Sequence, residues 1–539
     1  MKKCKRIEII LFLLLVIQML SIAIFNIFRL PYVAGFDSSA AMAQAMEIWK
    51  EHTIFLKDWS YQATLGLDSV LMLASLFYGL IGNIFIAYGL ADCVIIFLYF
   101  YIIYGILKEI NISKSVRLFI MIVMFTPYSL EPLGYMPMLF TNASYYSVKV
   151  LIPFMLIFVL IKLYKKKEIG EYIVILSLLV IMMFFTAFSC GIYVMICGIF
   201  PILAYELYAV VTSGKLSNIV TKRLIVYGLI IVAFVLGYIS TVIYGQFDFT
   251  NGMKLCSVYN FTDNFSNFFV GWLQLFGALY GRELNVTSPE GIYCLVHCAV
   301  VIILLALILR YLKKYRPLKK IYEAKHESLR MHVVGICEFI IIINALILLL
   351  TYTKYGSDTF EFRYLLFSTI AAFIIFGAAL DDYLEGLKQG KRELLFKTSW
   401  GILILVWTLA NFGMYPYYQG EDYYENARQI SEALEDIEEL DAVNDVDLWY
   451  FIGDGDICEI ARVMRLYEKE VDIVDALDLY TVRGWGTKAS FDSAIDAESS
   501  HLLVVSDSDE TNIESLVNNG YIYLETVGDY QIYLKEIIY

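Results

Sequence analysis

The sequence predicts a polytopic α-helical membrane protein, of about eleven transmembrane helices, that carries a C-terminal α/β domain. Two observations predict it. Of 539 residues, 59% are hydrophobic and only 18% are charged, with a mean hydropathy of +0.65; that is more apolar surface than a soluble core can bury. The charge is also split: from Pro416 onward there are 29 Asp and Glu against 7 Lys and Arg, so this part carries −22 of a total of −13 and leaves +9 on the rest. A basic membrane part, 1–415, is thus joined to an acidic, water-soluble part, 416–539, whose sign argues against nucleic acid as a partner.

The opening MKKCKRIEII and the apolar run after it have the charge pattern of a signal sequence. The run is long enough to span and lacks a small-x-small cleavage site, so it reads as a retained anchor. Apolar windows of spanning length lie at 8–28, 88–107, 115–130, 146–163, 171–188, 191–210, 224–243, 291–311, 332–352, 364–380 and 398–414. Lys2, Lys3, Lys5 and Arg6 precede the first; Lys108, Lys114 and Arg117 follow the second; Lys165, Lys166 and Lys167 follow the fourth; and KKYRPLKKIYEAKHESLR follows the eighth. All fall on one side, so the N-terminus is expected inside the cell and the acidic domain outside. The segments 29–87, 131–145 and 244–290, and the short TKYGSDTFEFR, then face outward.

The first outer segment, 29–87, opens with GFDSSAAMAQAMEIWK. Met42, Met46 and Trp49 fall on one helical face and Gln44, Glu47 and Glu51 on the other, as an interfacial helix requires. DSVLMLASLFYGLIGN is apolar but short and ends in Gly-Asn, which reads as a half-buried or re-entrant helix. In the C-terminal part the period changes: LWYFIG, VDIVDAL, HLLVVSD, YIYLETV and YQIYLKEI read as strands, CEIARVMRLYEK and ETNIESLVNNG as helices. Cys458 is the one cysteine there, so no disulfide framework staples the domain. CLVHC, around His297, reads as helix packing, because a metal site needs further ligands.

The order Asp37, surface helix, then a short apolar helix running into LFYGLIGNIFIAYGLADCVIIFLYFYIIYGILK resembles the first outer loop and second helix of the GT-C superfamily. These are the membrane glycosyltransferases that include lipid A aminoarabinose transferases and protein O-mannosyltransferases. Arg363-Tyr364 in EFRYLLFSTIAAFIIFG is similar to the Arg-Tyr that opens a late helix in many such enzymes, and an outward C-terminal α/β domain is a third likeness. The resemblance covers most of the chain. It implies sugar transfer from a polyprenyl-phosphate donor to an envelope glycan, lipid or protein acceptor at the outer face of a bacterial plasma membrane, with membrane lipids around it. It also places Asp37 at the general-base position. Many members carry two adjacent acids there, whereas Asp37 is followed by Ser38 and Ser39, which weakens the case for a divalent metal bound by the pair, leaves open a member that has lost catalysis, and leaves the cofactor unknown.

Attack by an acceptor hydroxyl needs a carboxylate to take its proton and cations to stabilise the leaving phosphate. Asp37 is the candidate base; it also fits as an N-cap of the helix after it. Asp58 and Asp68 stand where the loop returns to the membrane and are candidates for substrate contact, Asp68 also for capping an apolar helix. Arg363 can hold a phosphate bidentately with its stem in the apolar layer, or pair with Glu361 or Asp358. Tyr364, Lys149 and Lys354 complete the candidate binding residues.

Other features have plainer readings. The triplets at Asp445/Asp447, Asp454/Asp456 and Asp507/Asp509 read as turns with caps. Sequons occur at Asn142, Asn260, Asn264 and Asn285, on the expected outer side. Outer aromatics such as Tyr128 and Trp272 read as an interfacial belt. No P-loop, GxSxG, HExxH or zinc-ribbon spacing occurs, so energy comes from a preactivated donor or there is no chemistry at all. The alternative from another class is a non-catalytic glycan-binding protein, or a polysaccharide or lipid translocation component. A transporter would favour buried ionisable residues mid-helix, and the sequence offers few.

Overall fold

The computed structural model describes residues 2–34, 36–57, 59, 61, 64–126, 128, 144–189, 192–213, 218–244, 254–279, 285–317, 328–352, 362–386, 407, 411, 423–438, 446–453, 455–467, 471–483, 494–498 and 500–536. The membrane part begins with α1 (Lys2–Phe28), α2 (Phe36–Lys50), α3 (Leu71–Ile81), α4 (Ile84–Glu109), α5 (Lys114–Met124), α6 (Ser144–Tyr164) and α7 (Ile173–Phe188). Next comes α8, which runs from Ile192–Val194 through a π-helical turn, Met195–Ile199, into Phe200–Ser213. Then follow α9 (Asn218–Tyr244), β1 (Lys254–Leu255), α10 (Val258–Leu275), α11 (Pro289–Tyr315), α12 (Leu329–Leu350), β2 (Thr351–Tyr352) and, after a 3-10 turn at Phe362–Leu365, α13 (Leu366–Gly386).

Among the described residues, α1, α4, α6, α8, α9, α11, α12 and α13 supply eight stretches long and apolar enough to cross a membrane. At the expected spans 115–130 and 171–188, α5 and α7 have 11 and 16 residues. The expected span 398–414 lies outside the described residues, Trp407 and Asn411 excepted. Small and polar residues bring the helices together, as they must where lipid removes the hydrophobic drive. A Cβ on Gly89 of α4 would come within 2.1 Å of the Asn26 carbonyl oxygen on α1. Gln18 of α1 is fully buried and donates to the Ile122 carbonyl and to Thr126 Oγ1, each at 3.1 Å. The π turn of α8 stands just before Pro201, whose ring cannot tolerate the carbonyl four residues back in an ordinary helix.

The C-terminal domain contains α14 (Tyr423–Glu438), β3 (Val446–Ile452), α15 (Asp456–Met464), β4 (Asp472–Asp478), β5 (Thr481–Val482), β6 (Ser500–Ser506), α16 (Glu510–Asn518), β7 (Ile522–Val527) and β8 (Tyr530–Lys535). The sheet order is β5-β4-β3-β6-β8-β7; β3 is parallel to β4 and β6, the other pairs are antiparallel. The central strands are buried on both faces, hence the unbroken apolar runs LWYFI and LLVV. On one face Trp449, Phe451, Leu502 and Val504 join α14 and α15 in a core continuous with that of the membrane helices. On the other, Tyr450, Ile452, Val505 and Leu516 form a second core beneath α16.

The joint between the parts is aromatic. Tyr424 of α14 meets Tyr32 at 6.2 Å, Phe85 at 5.7 Å and Tyr467 at 5.7 Å between ring centroids, all edge to face. The ends of the membrane helices near this joint form the domain side. The opposite ends carry the ion pairs: Lys162 and Lys165 with Glu109 at 2.6 and 2.7 Å, Arg330 with Asp381 at 2.8 Å, and Lys314 with Asp382 at 2.8 Å.

Candidate functional site

The site is built from the domain-side segment between α1 and α4. Helix α2 starts at Phe36, so Asp37 stands within its first turn, where a carboxylate is favoured by the helix dipole; its side chain lies outside the described residues. The expected interfacial helix is not what forms. Ser38, Ser39, Ala41, Met42, Gln44 and Ala45 are all buried, because α2 is held between α3 and α15 of the domain. Gln44, assigned from its spacing to a wet face, instead donates to the Leu65 carbonyl oxygen at 2.8 Å. On the α3 side Trp49 lies flat over Gly79, where a Cβ would come within 2.2 Å of the indole.

From α2 the chain returns through 51–70. Phe55 stacks on Tyr61 and on Phe188. Tyr61, whose hydroxyl accepts from the Leu56 amide at 3.1 Å, is pushed up to about 12 by burial. Helix α3 is too short to cross, as expected of a half-buried element. It ends at Gly82, whose φ of +76° supplies the left-handed cap, and Asn83 Oδ1 then accepts from the Ile86 amide at 3.1 Å to start α4.

Asp68 does not cap α3. The residue at the cap position is Val70, and it is Ser69 Oγ that accepts from the Leu71 amide, at 3.2 Å. Instead Asp68 reaches across to α6: its Oδ2 lies 3.1 Å from Lys149 Nζ, with side-chain exposures of 0% and 8%. Burial raises the Asp68 pKa above the usual carboxylate range, while Lys149 and the hydroxyl of Ser189, at the end of α7, act to lower it. Two candidate binding residues separated by 81 positions are therefore one buried ion pair.

A second convergence lies beside it. Tyr193 of α8 donates to the Tyr364 carbonyl oxygen at 2.9 Å, and the two rings meet edge to face at 5.4 Å. Gly198, in the π turn, lets Phe367 and Pro153 approach within 3.1 Å of where its Cβ would be. Pro153 is one turn after Lys149 on α6, so the starts of α6, α8 and α13 are drawn together. Arg363 stands in the 3-10 turn that opens α13. Its side chain, together with Asp58 and Lys354, lies outside the described residues.

Asp92, which the apolar run places near a helix end, is buried in the third turn of α4, because the helix starts at Ile84 and not near 88. Three further polar residues were not singled out by sequence. Glu206 of α8 accepts from Arg223 of α9 at 2.8 Å and pairs with His332 Nε2 of α12 at 2.8 Å, at the end of the bundle away from the domain. Nothing local marks that triad, since its members are 17 and 109 residues apart along the chain.

Other assignments change. Tyr128 is not in a belt: it is buried against Phe276, His297 and Trp407. Asn264 is not an open sequon, because its buried amide donates to the Leu349 and Thr351 carbonyls at 3.2 and 2.9 Å and ties α10 to the end of α12. Among the described residues no three His, Cys, Asp or Glu side chains are grouped as metal ligands.

No family model matches the chain, and no curated protein does. Solved structures do. ArnT from Cupriavidus metallidurans in the apo state superposes with a TM-score of 0.56 at 10% identity, covering 97% of each chain. The same protein bound to undecaprenyl phosphate gives 0.52 at 10% identity over 96% of this chain and 97% of that one. The archaeal oligosaccharyltransferase AglB from Archaeoglobus fulgidus, in complex with an inhibitory peptide and a dolichol-phosphate, gives 0.50 at 12% identity over 96% of this chain and 74% of its own. These are membrane glycosyltransferases of the GT-C fold, and the likeness runs from α1 to the C-terminal sheet. The chain is a membrane protein with the GT-C fold.

Proposed function

We propose that the chain is a glycosyltransferase that moves a sugar from a polyprenyl-phosphate donor to an envelope glycan, lipid or protein acceptor on the domain side of the membrane. The observation that carries this reading is Lys149: a buried ammonium near the start of α6, paired with Asp68 of the segment that follows the helix bearing Asp37. In this reading Lys149 and Arg363 hold the carrier phosphate and stabilise the charge it gains as the sugar leaves. Asp37 takes the proton of the attacking hydroxyl. In this reading Tyr364, Asp58 and Lys354 are further candidates for substrate contact. The solved neighbours bound to undecaprenyl phosphate and to a dolichol-phosphate support the choice of carrier.

The basic residues gather at the ends of the helices away from the domain, which by the positive-inside tendency makes that side cytoplasmic. The domain, 416–539, then lies outside the cytoplasm and 1–415 forms the membrane part. Purified wild-type protein and Asp37→Asn, incubated with radiolabelled polyprenyl-phosphate sugars and envelope extract, test the proposal. Label transfer by the wild type alone is the expected result. Transfer retained by Asp37→Asn removes Asp37 from the mechanism.

A second reading has one observation in its favour. Asp92, Glu206 and His332 are ionisable groups buried in membrane helices, with the half-buried Arg223 paired to Glu206, a property of translocation components. Substrate-dependent lipid or ion flux in liposomes without sugar transfer decides for that reading.

A further inference from the structure

Lys149, the cation assigned above to the carrier phosphate, already has an anion. The Asp68 carboxylate lies 3.1 Å from its ammonium, both side chains are almost wholly out of water, and among the described residues Lys149 is the one cation within ion-pair range of Asp68. The pair is neutral as a unit. In so dry a setting its members attract, and any added charge repels, far more strongly than in water. A phosphate arriving at Lys149 therefore meets a carboxylate at close range, and two anions that share one buried cation cannot both stay ionised at little cost.

The groups facing Asp68 show which anion gives way. From α6 comes Lys149; from the end of α7 comes Ser189, a neutral hydroxyl; within its own loop Ser69 turns its hydroxyl to the Gly66 carbonyl at 2.7 Å. A phosphodiester is a much stronger acid than a carboxyl group, so the proton goes to the carboxylate. We propose that Asp68 is a proton-coupled counter-charge of the carrier site: a polyprenyl-phosphate sugar, a phosphodiester, binds at Lys149 as Asp68 takes up one proton. This rests on reading Lys149 as the phosphate-binding lysine. The balance is simple: one proton passes from solvent to a carboxylate oxygen, and no bond of the carrier forms or breaks. Once protonated, the carboxyl group is a donor that can face a phosphate oxygen without repelling it. Burial, which already raises the affinity of Asp68 for a proton, shortens this step.

The test uses the full chain in detergent and undecaprenyl methyl phosphate, a phosphodiester whose single charge does not change across neutral pH. Calorimetric titration in two buffers of different ionisation enthalpy reads protons directly. The wild type is expected to take up a proton on binding, and its affinity to fall about tenfold per pH unit above the range where Asp68 titrates, the slope of one linked proton. Asp68→Asn is expected to bind with no proton uptake and a flat pH profile, and Lys149→Met to lose binding. Binding by the wild type with buffer-independent heat and a flat profile overturns the counter-charge and leaves the carrier site standing. No binding by the wild type at any pH overturns both. The decisive titration is made on wild-type protein and does not depend on a variant folding.

Discussion

Gln44 of α2 donates its side-chain amide to the carbonyl oxygen of Leu65 at 2.8 Å, across 21 positions of chain and out of contact with water. This bond fixes the return of the first loop beneath the helix that carries Asp37. Gln44→Leu leaves a buried carbonyl without its donor, at a cost of about 1–3 kcal/mol. We expect a lower thermal midpoint and a reduced kcat with carrier binding retained, read by thermal unfolding and steady-state kinetics of the same preparation.

Loss of a positioned general base costs about a hundredfold to ten-thousandfold in rate. Asp37→Asn should fall in kcat by that amount while still binding undecaprenyl methyl phosphate. A variant that loses binding and rate together would make Asp37 part of the binding surface instead.

Asp68 sets a pH dependence of stability whose sign follows from its raised pKa. A carboxyl group that is harder to ionise when folded contributes stability that is full below its ordinary value and is lost as pH rises through the raised one. The wild type should therefore lose stability over that window, and Asp68→Asn should show no such loss. Unfolding midpoints measured from acid to neutral pH check it.

In the domain, Asp475 of β4 accepts from Arg462 of α15 and from Arg465, the residue just after that helix, at 2.9 and 2.8 Å, with Arg462 and Asp475 fully buried. Asp475→Ala leaves buried guanidinium charge uncompensated, which costs about 3–5 kcal/mol. Because α15 also packs on α2, we expect transfer activity to fall with stability. Unchanged unfolding would show that water reaches the two arginines.

Gly89 marks a close approach of α4 to α1. Gly89→Leu should fail to yield folded protein, since its Cβ alone would overlap the Asn26 carbonyl; size-exclusion profiles in detergent distinguish this from a tolerated change.

What the sequence made legible was governed by local periodicity. The five strands read from alternating or unbroken apolar runs are β3, β4, β6, β7 and β8, and eight of the spans are long helices where expected. β5, of two residues, is too short to leave a period. Errors arose where a partner lies far along the chain. Gln44 has polar spacing on a helical wheel, yet Leu65 lies over it. Asp68 precedes an apolar helix as a cap would, yet Lys149 takes it. Asn264 satisfies a sequon, yet its amide is taken by the Leu349 and Thr351 carbonyls at the end of α12. In each case the local rule is sound, and a tertiary contact satisfies the same polar group better.

Tyr424 is a keystone set among Tyr32, Phe85 and Tyr467. A C-terminal domain taken from another protein of this fold would arrive without the matching rings on the first loop and on α4. Such domains are therefore not interchangeable cassettes. A working chimera has to carry its socket with it, and recombination within this fold should find its tolerated crossovers before Tyr32, not between the last membrane helix and the domain.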